Sequence, residues 1–157
     1  MHELAHEFTQ RKISPWGGIK FFHKTYVTSG TKSFITSLDL PQPGSNRGYD
    51  PVELIEGFMT SVVLGARRLE HSGMLRMDKV IAEIFNWQKG MASASTFSRF
   101  LDKFDVERND RIFPPLMKHI LDQVPIKYMT VDIDSSVITR YGNQECAVKG
   151  YNPGKRG

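Results

Sequence analysis

The sequence predicts a mainly α-helical chain that ends in the first strands of a β-sheet. Before Pro125, apolar residues recur at the three- and four-residue spacing of helices that bury one face. After Pro125 the spacing changes to alternation, with Met129, Val131 and Ile133 on one side of a strand and polar residues between them. The change of period marks the boundary between a helical region and a sheet.

The same boundary divides the chain into predicted domains. We expect an irregular N-terminus over residues 1–14, a helical domain over residues 15–125 and the start of a second domain over residues 126–157. The composition is that of a globular protein, with 39% hydrophobic and 24% charged residues. No apolar run approaches the roughly 20 residues that span a bilayer, and the single cysteine excludes an internal disulfide. A reducing, cytoplasmic compartment is therefore expected.

Two short helices and a loop are predicted first. Apolar and aromatic side chains occur at helical spacing over residues 16–28. Ser29-Gly30 interrupts this helix, and a second short helix is expected to run to about Leu38. Residues 41–48 contain two prolines and two glycines, which predicts a loop.

The next helix has the strongest start signal in the chain. Asp50 can accept hydrogen bonds as the N-cap, Pro51 suits the first helical position, and Glu53 is placed to reach back as a capping box. Gly57 and Gly65 would each cost about 1 kcal/mol relative to alanine unless a neighbour packs closely there. An apolar stripe predicts that one face of this helix is buried, and its members are Leu54, Ile55, Phe58, Met59, Val62 and Val63.

Two further helices are predicted between residues 78 and 104. Asp78 is expected to cap the first, which ends near Phe85. Ser93 or Ser95 is expected to cap the second. The apolar seam of the second helix has the i, i+3, i+4, i+7 spacing and consists of Phe97, Phe100, Leu101 and Phe104.

The last helix is predicted to start at Asp105 or Asp110 and to end before Pro125. Pro114 and Pro115 lack the N–H group that a helix interior uses, so a kink or a restart is expected there. The side chains expected to point inward are Ile112, Phe113, Leu116, Met117, Ile120 and Leu121.

The predicted strand after residue 125 carries two carboxylates on one face. Asp132 and Asp134 are two residues apart, which places them about 7 Å apart on a strand. Magnesium ions prefer oxygen ligands, and a pair of such ions can activate an attacking oxygen and stabilise a leaving oxygen at a phosphodiester. The spacing alone, however, favours a solvated strand face or an Asx-turn with Ser135 and Ser136.

The predicted helix that begins near residue 93 has features of a DNA-recognition helix. Ser95, Ser98, Arg99 and Lys103 lie away from its apolar seam. Hydroxyl groups can donate to phosphates, and arginine can recognise guanine edges. The helix over residues 78–85 would be its partner, although the connector is longer than in a helix-turn-helix. Two amphipathic helices of a bundle explain the same pattern.

The last nine residues form a second basic segment. Lys149, Lys155 and Arg156 could meet phosphates while Tyr151 stacks on a base or sugar. The alternative is a frayed terminus, which is the more common state of such a segment in an isolated chain.

Several ordered segments together resemble bacterial insertion-sequence transposases of the DDE type. Each segment is weakly specific by itself, but their order and approximate spacing are those of the family. The resemblance therefore outweighs the simpler explanations for the aspartate pair. The segments are residues 45–51, 65–69, 94–101, 131–137, 141–145, 149–153 and 155–157.

The resemblance implies a helical DNA-binding region followed by the first β-hairpin of an RNase H-like α/β core. It implies that Asp134 is the first catalytic aspartate and a ligand of Mg²⁺, with Asp132 as the second candidate ligand. The family's second aspartate and its glutamate are expected on later strands. The chain is thus expected to be the N-terminal portion of a transposase, truncated within its core and inactive alone.

The resemblance also implies partners and a location. Double-stranded DNA at the element's terminal repeats is the expected ligand, contacted by Ser95, Ser98, Arg99, Lys103 and the basic tail. A homodimer, or a heterodimer with full-length transposase, is possible within the family, in the cytoplasm at the nucleoid and without a membrane partner. Two alternatives are a non-catalytic DNA-binding module that inhibits transposition and an inert pseudogene product.

Overall fold

The structure is a computed structural model that describes residues 10–132. The chain divides into two compact units, Met1–Val124 and Pro125–Gly157. Over the described residues the chain is mainly helical and contains no strand. The helices are α1 (Ile19–Thr28), α2 (Thr31–Thr36), α3 (Pro51–Val63), α4 (Ser72–Leu75), α5 (Lys79–Phe85), α6 (Ala94–Leu101) and α7 (Val106–Asp122), with a 3-10 turn at Leu69–His71 before α4.

Two apolar cores hold the first unit together. In the larger core, α3 and α5 pack with α6 and the start of α1. Trp87, in the segment between α5 and α6, is also buried in this core. Its fully buried members are Ile19, Leu54, Leu75, Ile81, Phe85, Trp87, Met91, Ala92, Phe97 and Phe100. The smaller core joins α1, α2 and α7, and its buried members are Tyr26, Ile35, Leu40 and Ile112.

Four helices begin at capping side chains that the sequence identifies. Asp50 accepts a hydrogen bond from the backbone N–H of the second residue of α3 at 2.7 Å, and Asp78 does the same in α5 at 2.8 Å. Of the alternative caps, Ser93 rather than Ser95 caps α6, and Asp105 rather than Asp110 caps α7. These signals are local in sequence, and each satisfies an amide that has no partner within its helix.

The capping box predicted at α3 is wrong. The carboxylate of Glu53 accepts a hydrogen bond from the backbone N–H of Gln88 at 2.9 Å. Glu53 therefore joins α3 to the segment after α5, and it is not directed back to the start of its own helix. This contact depends on the tertiary fold, which a local sequence motif does not contain.

The buried face predicted for α3 is correct for Leu54, Ile55 and Met59, which are buried or pack against the cores, and wrong for the other three residues. Phe58, Val62 and Val63 are 38%, 54% and 52% exposed. The face that is buried carries small and polar side chains, including Glu56, Gly57, Thr60 and Ser61. The reason is that α6 approaches α3 closely, because a Cβ atom at Gly57 would lie 3.1 Å from the ring of Phe97. The close neighbour expected at this glycine is therefore present.

The last helix was predicted to kink or restart at its two prolines, and it continues through Pro114 and Pro115 without restarting. The carbonyls that lose their usual N–H donors belong to Asp110 and Arg111, which are exposed, so water can hydrate them. Of the six side chains expected to point inward, only Ile112 is fully buried, whereas Phe113, Met117, Ile120 and Leu121 are 55%, 58%, 45% and 42% exposed.

The predicted strand is not seen where the structure describes it. Residues 128–132 have no regular secondary structure. The remainder of the predicted hairpin lies outside the described residues. The helical part of the fold prediction is therefore confirmed, while the sheet stays a prediction.

A buried carboxylate connects three parts of the helical unit. Glu56 of α3 is 2% exposed. One of its oxygens lies 2.8 Å from the ammonium of Lys32 in α2, and the other accepts a hydrogen bond from the indole N–H of Trp87 at 2.8 Å. Burial raises the pKa of the neighbouring Tyr26 hydroxyl, and the negative charge of Glu56 raises it further. Tyr26 therefore stays neutral beside the ion pair.

Replacing this carboxylate should destabilise the helical unit strongly. Glu56→Ala leaves the indole N–H of Trp87 without its partner and removes the ion pair with Lys32, so we expect a loss of about 3 kcal/mol in the free energy of unfolding. Urea denaturation measures it. Glu83→Ala is the matched control because Glu83 pairs with Lys12 between exposed side chains, and about 0.5 kcal/mol is expected there. Equal losses in both variants would contradict the role given to Glu56.

The half-buried His23 should make stability depend on pH. Burial lowers the pKa of His23 below its ordinary value of 6.5, Lys32 lowers it further, and Glu56 opposes the shift. The unfolded chain therefore binds the proton more readily, so stability falls as the pH drops below about 6.5 and is unaffected by this group above it. We expect His23→Gln to reduce the acid-dependent loss, as measured by urea midpoints between about pH 7 and pH 5. An unchanged slope in the variant would exclude His23 as a source.

Candidate nucleic-acid interface

The packing of α6 directs its polar side chains outward. Phe97 and Phe100 are 1% and 6% exposed and fix one face against the larger core. Ser95, Ser98 and Arg99 lie on the other face and are exposed, as is Lys103 just after the helix. The separation of polar and apolar faces predicted for this helix is present. Leu101 departs from the predicted seam, since it is 40% exposed.

The loop that precedes α3 lies beside the polar face of α6 and forms a groove with it. This basic groove has a volume of about 360 Å³. The residues that line it include three cations and no carboxylate, within the described part of the chain. They are Pro41, Pro43, Gly44, Arg47, Gly48, Tyr49, Leu54, Thr96, Arg99, Phe100 and Lys103.

Two lysines hold the loop in place. Lys103 donates a hydrogen bond to the backbone carbonyl of Gln42 at 2.8 Å. Lys89 donates to the carbonyl of Arg47 at 2.7 Å and also to that of Gly48, and its ammonium lies 5.7 Å from the centre of the Tyr49 ring. Carbonyl oxygens orient these ammonium groups without neutralising them, so the positive charge of the groove remains available to an anion.

The packing does not support α5 as the partner of α6 in a helix-turn-helix. The main neighbours of α6 are α3 and the 3-10 turn at Leu69–His71, whereas α5 packs mainly against α1. The segment between α5 and α6 instead contributes Trp87, Met91 and Ala92 to the larger core. A long connector that is itself buried is a different arrangement from the short turn of that motif.

Sequence reasoning missed Arg47 and Tyr49, which line the groove, and Lys89, which binds the loop that forms one side of it. Arg47 and Tyr49 lie within residues 45–51, one of the segments that resemble the transposase family, and this was the available signal. Lys89 had no local signal, because its contacts are with residues about 40 positions earlier in the chain.

The remaining predicted site residues are not brought into a described site. Asp132 is exposed. Asp134, Lys149, Lys155 and Arg156 lie outside the described residues. Between residues 10 and 132, no group of three histidine, cysteine, aspartate or glutamate side chains is arranged to bind a metal ion. The predicted magnesium site thus depends on residues that the structure does not describe.

Over residues 10–132, each helix is too short or too polar to cross a lipid bilayer.

Removing the anchor of the loop should expose it to proteolysis. Lys89→Met removes both hydrogen bonds to the loop carbonyls while keeping an apolar side chain beside Tyr49, so we expect trypsin to cleave after Arg47 several times faster. Mass spectrometry of the early fragments measures the rate. Lys118→Met is the control, since Lys118 pairs with Asp122 of the same helix, away from the loop. Equal cleavage after Arg47 in the wild type and in Lys89→Met would show that Lys89 does not hold the loop.

Comparison with known protein families agrees with the resemblance found in the sequence. The model of the family described as transposase DDE domain group 1 matches residues 2–153. Searches of characterised proteins and of solved structures gave no significant match. The family match covers nearly the whole chain, including both the helical unit and the segment with the aspartate pair. The protein therefore belongs to the transposase DDE domain group 1 family.

Proposed function

We propose that the helical unit binds double-stranded DNA at the ends of a mobile element and that the basic groove is its contact surface. The observation that carries this proposal is the convergence of Arg47, Arg99 and Lys103 on one groove whose lining, in the described residues, contains no carboxylate. A surface of this kind attracts the phosphate backbone and gains free energy when counterions are released.

The exposed face of α6 and the groove beside it together offer donors for more than one kind of DNA contact. The hydroxyls of Ser95 and Ser98 can donate to phosphate oxygens, which positions a protein on a duplex. Arg99 is exposed, and its guanidinium makes a long hydrogen bond to the Thr96 hydroxyl at 3.5 Å. Its guanidinium is thus suited to a base edge or to a phosphate. Lys103 and Arg47 add positive charge to the same groove.

We further propose that the family chemistry is phosphoryl transfer at the element end. Asp134 would hold a magnesium ion, with Asp132 as the neighbouring ligand, in an RNase H-like core. A bound divalent ion supplies activation of the attacking oxygen and stabilisation of the leaving oxygen. The helical unit positions the DNA end, and further carboxylates are expected from later strands of the transposase. The same helical unit could occupy element ends without cleaving them.

The first test measures DNA affinity as a function of salt. We expect Arg99→Ala/Lys103→Ala to bind a terminal-repeat duplex more weakly. The slope of log affinity against log salt concentration should become less negative by about 1 for each phosphate contact removed. Electrophoretic shift or fluorescence anisotropy at several salt concentrations gives both quantities. The variant keeps the apolar seam of α6, so circular dichroism should be unchanged.

The control for this test separates a local contact from net charge. Lys118→Ala/Arg111→Ala likewise removes one lysine and one arginine charge, but from α7, where both side chains already pair with acidic residues. We expect little change in its affinity or salt slope. If both double variants weaken binding equally, the groove is not the contact surface. If neither the wild type nor any variant binds duplex DNA, the proposed function is wrong.

The second test concerns catalysis by the transposase of the intact element. Asp134→Ala should reduce magnesium-dependent strand cleavage by at least about a thousandfold, because a metal-ion ligand is lost at the reacting phosphate. DNA binding should be unchanged, since the groove is remote in sequence from this residue. Asp132→Ala is the comparison and should show which carboxylate is essential. Normal cleavage by the Asp134→Ala enzyme would refute the assignment.

A further inference from the structure

A second, smaller cavity lies where the end of α3, the 3-10 turn and the start of α4 meet α6. Its volume is about 220 Å³. Two aromatic rings, Phe58 and Phe97, form part of its wall, with their centres 6.4 Å apart in an edge-to-face arrangement. Arg67, Arg68 and Ser72 also line it. We call it the aromatic pocket, and none of these five residues lines the basic groove.

The hydroxyl of Ser72 indicates that the pocket is suited to a polar ligand. Ser72 is 1% exposed, and its hydroxyl has no hydrogen-bond partner among the described residues. Buried hydroxyls almost always have a partner, so one without a partner that lines a cavity requires an explanation. By contrast, the neighbouring Ser61 hydroxyl donates to the carbonyl of Gly57 at 2.8 Å and is satisfied.

The two arginines add positive charge to the lining of the aromatic pocket. Arg67 and Arg68 are exposed, and their guanidinium groups make no hydrogen bond or ion pair with any other residue between 10 and 132. The backbone N–H of Arg67 donates to a ring nitrogen of His71 at 3.2 Å, which fixes the turn that carries them. Glu70 is in the same turn, but it does not line the pocket.

These features together select a class of ligand. An inorganic anion would match the arginines but not the two aromatic rings. An apolar ligand would match the rings but leave the Ser72 hydroxyl and the guanidinium groups without partners. A nucleobase with its phosphate matches all of them, since bases stack on aromatic side chains and bond through their polar edges. The volume is below the roughly 300 Å³ of typical small-molecule sites, which suits a single base.

We propose that the aromatic pocket receives the base of one unpaired nucleotide, whose phosphate is held by Arg67 and Arg68. Phe58 is 38% exposed and provides the accessible ring, while the buried Phe97 supports it. The Ser72 hydroxyl bonds to a polar edge of the base. The nucleotide can come from a DNA strand distorted at the element end, which rests on the proposed function, or from free nucleotide.

The experiment compares three duplexes with the same sequence and the purified chain. One is fully paired, one has a single unpaired adenosine, and one has an abasic residue at the same place. We expect the unpaired base to increase affinity about tenfold over both other duplexes, which is within the range measured for stacking of one base. Arg67→Ala/Arg68→Ala should remove this preference while the affinity for paired DNA falls much less.

Two further variants separate the pocket from stability and from general DNA binding. Ser72→Ala removes only the hydroxyl without a partner, so it should reduce the preference without lowering the melting temperature. Arg99→Ala should weaken binding to all three duplexes equally and leave the preference intact. A preference that survives both pocket variants would overturn the proposal.

The outcomes distinguish this proposal from the proposed function. If paired DNA binds but the unpaired base gives no preference, the pocket proposal fails and the groove stands. If no duplex binds, the proposed function fails, and calorimetric titration with deoxyadenosine monophosphate tests the pocket directly. Binding that is lost in Arg67→Ala/Arg68→Ala would then support a free-nucleotide site, and absence of binding would overturn the pocket.

Discussion

The arrangement of the helical unit depends on the buried carboxylate of Glu56. It joins α2 through Lys32 and the segment after α5 through Trp87, and it does so from the middle of α3. A buried charge is costly unless each oxygen has a partner, so the three parts are constrained together. The next residue, Gly57, allows Phe97 of α6 to approach closely. This contact sets how α6 lies against α3, while the ion pair holds α2 to the same helix.

The position of α6 in turn determines the two candidate DNA-contact features. Its buried face contributes Phe97 to the aromatic pocket, and its exposed face contributes Arg99 and the following Lys103 to the basic groove. The loop before α3 completes the groove because Lys89 and Lys103 bind its carbonyls. The packing of the core therefore fixes the geometry of both the basic groove and the aromatic pocket.

The features that sequence could predict are those decided within a few residues. The caps at Asp50 and Asp78 form as expected because the accepting side chain and the donating amide are two residues apart. The capping box predicted for Glu53 is wrong because its carboxylate accepts a hydrogen bond from the backbone N–H of Gln88, on a different segment. The apolar stripe of α3 predicted only half of the buried face. The polar contacts of Glu56 and the approach of α6 turn Phe58, Val62 and Val63 toward the surface.

The same distinction applies to the candidate site. The polar face of α6 was predictable from helical spacing. Arg47 lines the groove and Lys89 anchors its loop only through tertiary contacts. The role of the aspartate pair stays a prediction that rests on the resemblance, while the family match agrees with the transposase assignment.

Hydrogen–deuterium exchange of the chain with and without a terminal-repeat duplex tests the central claim most directly. The account predicts slower exchange in residues 41–50 and 94–103 when DNA is bound, with residues 106–122 of α7 unchanged. Protection of α7 with no change in the other two segments would contradict it.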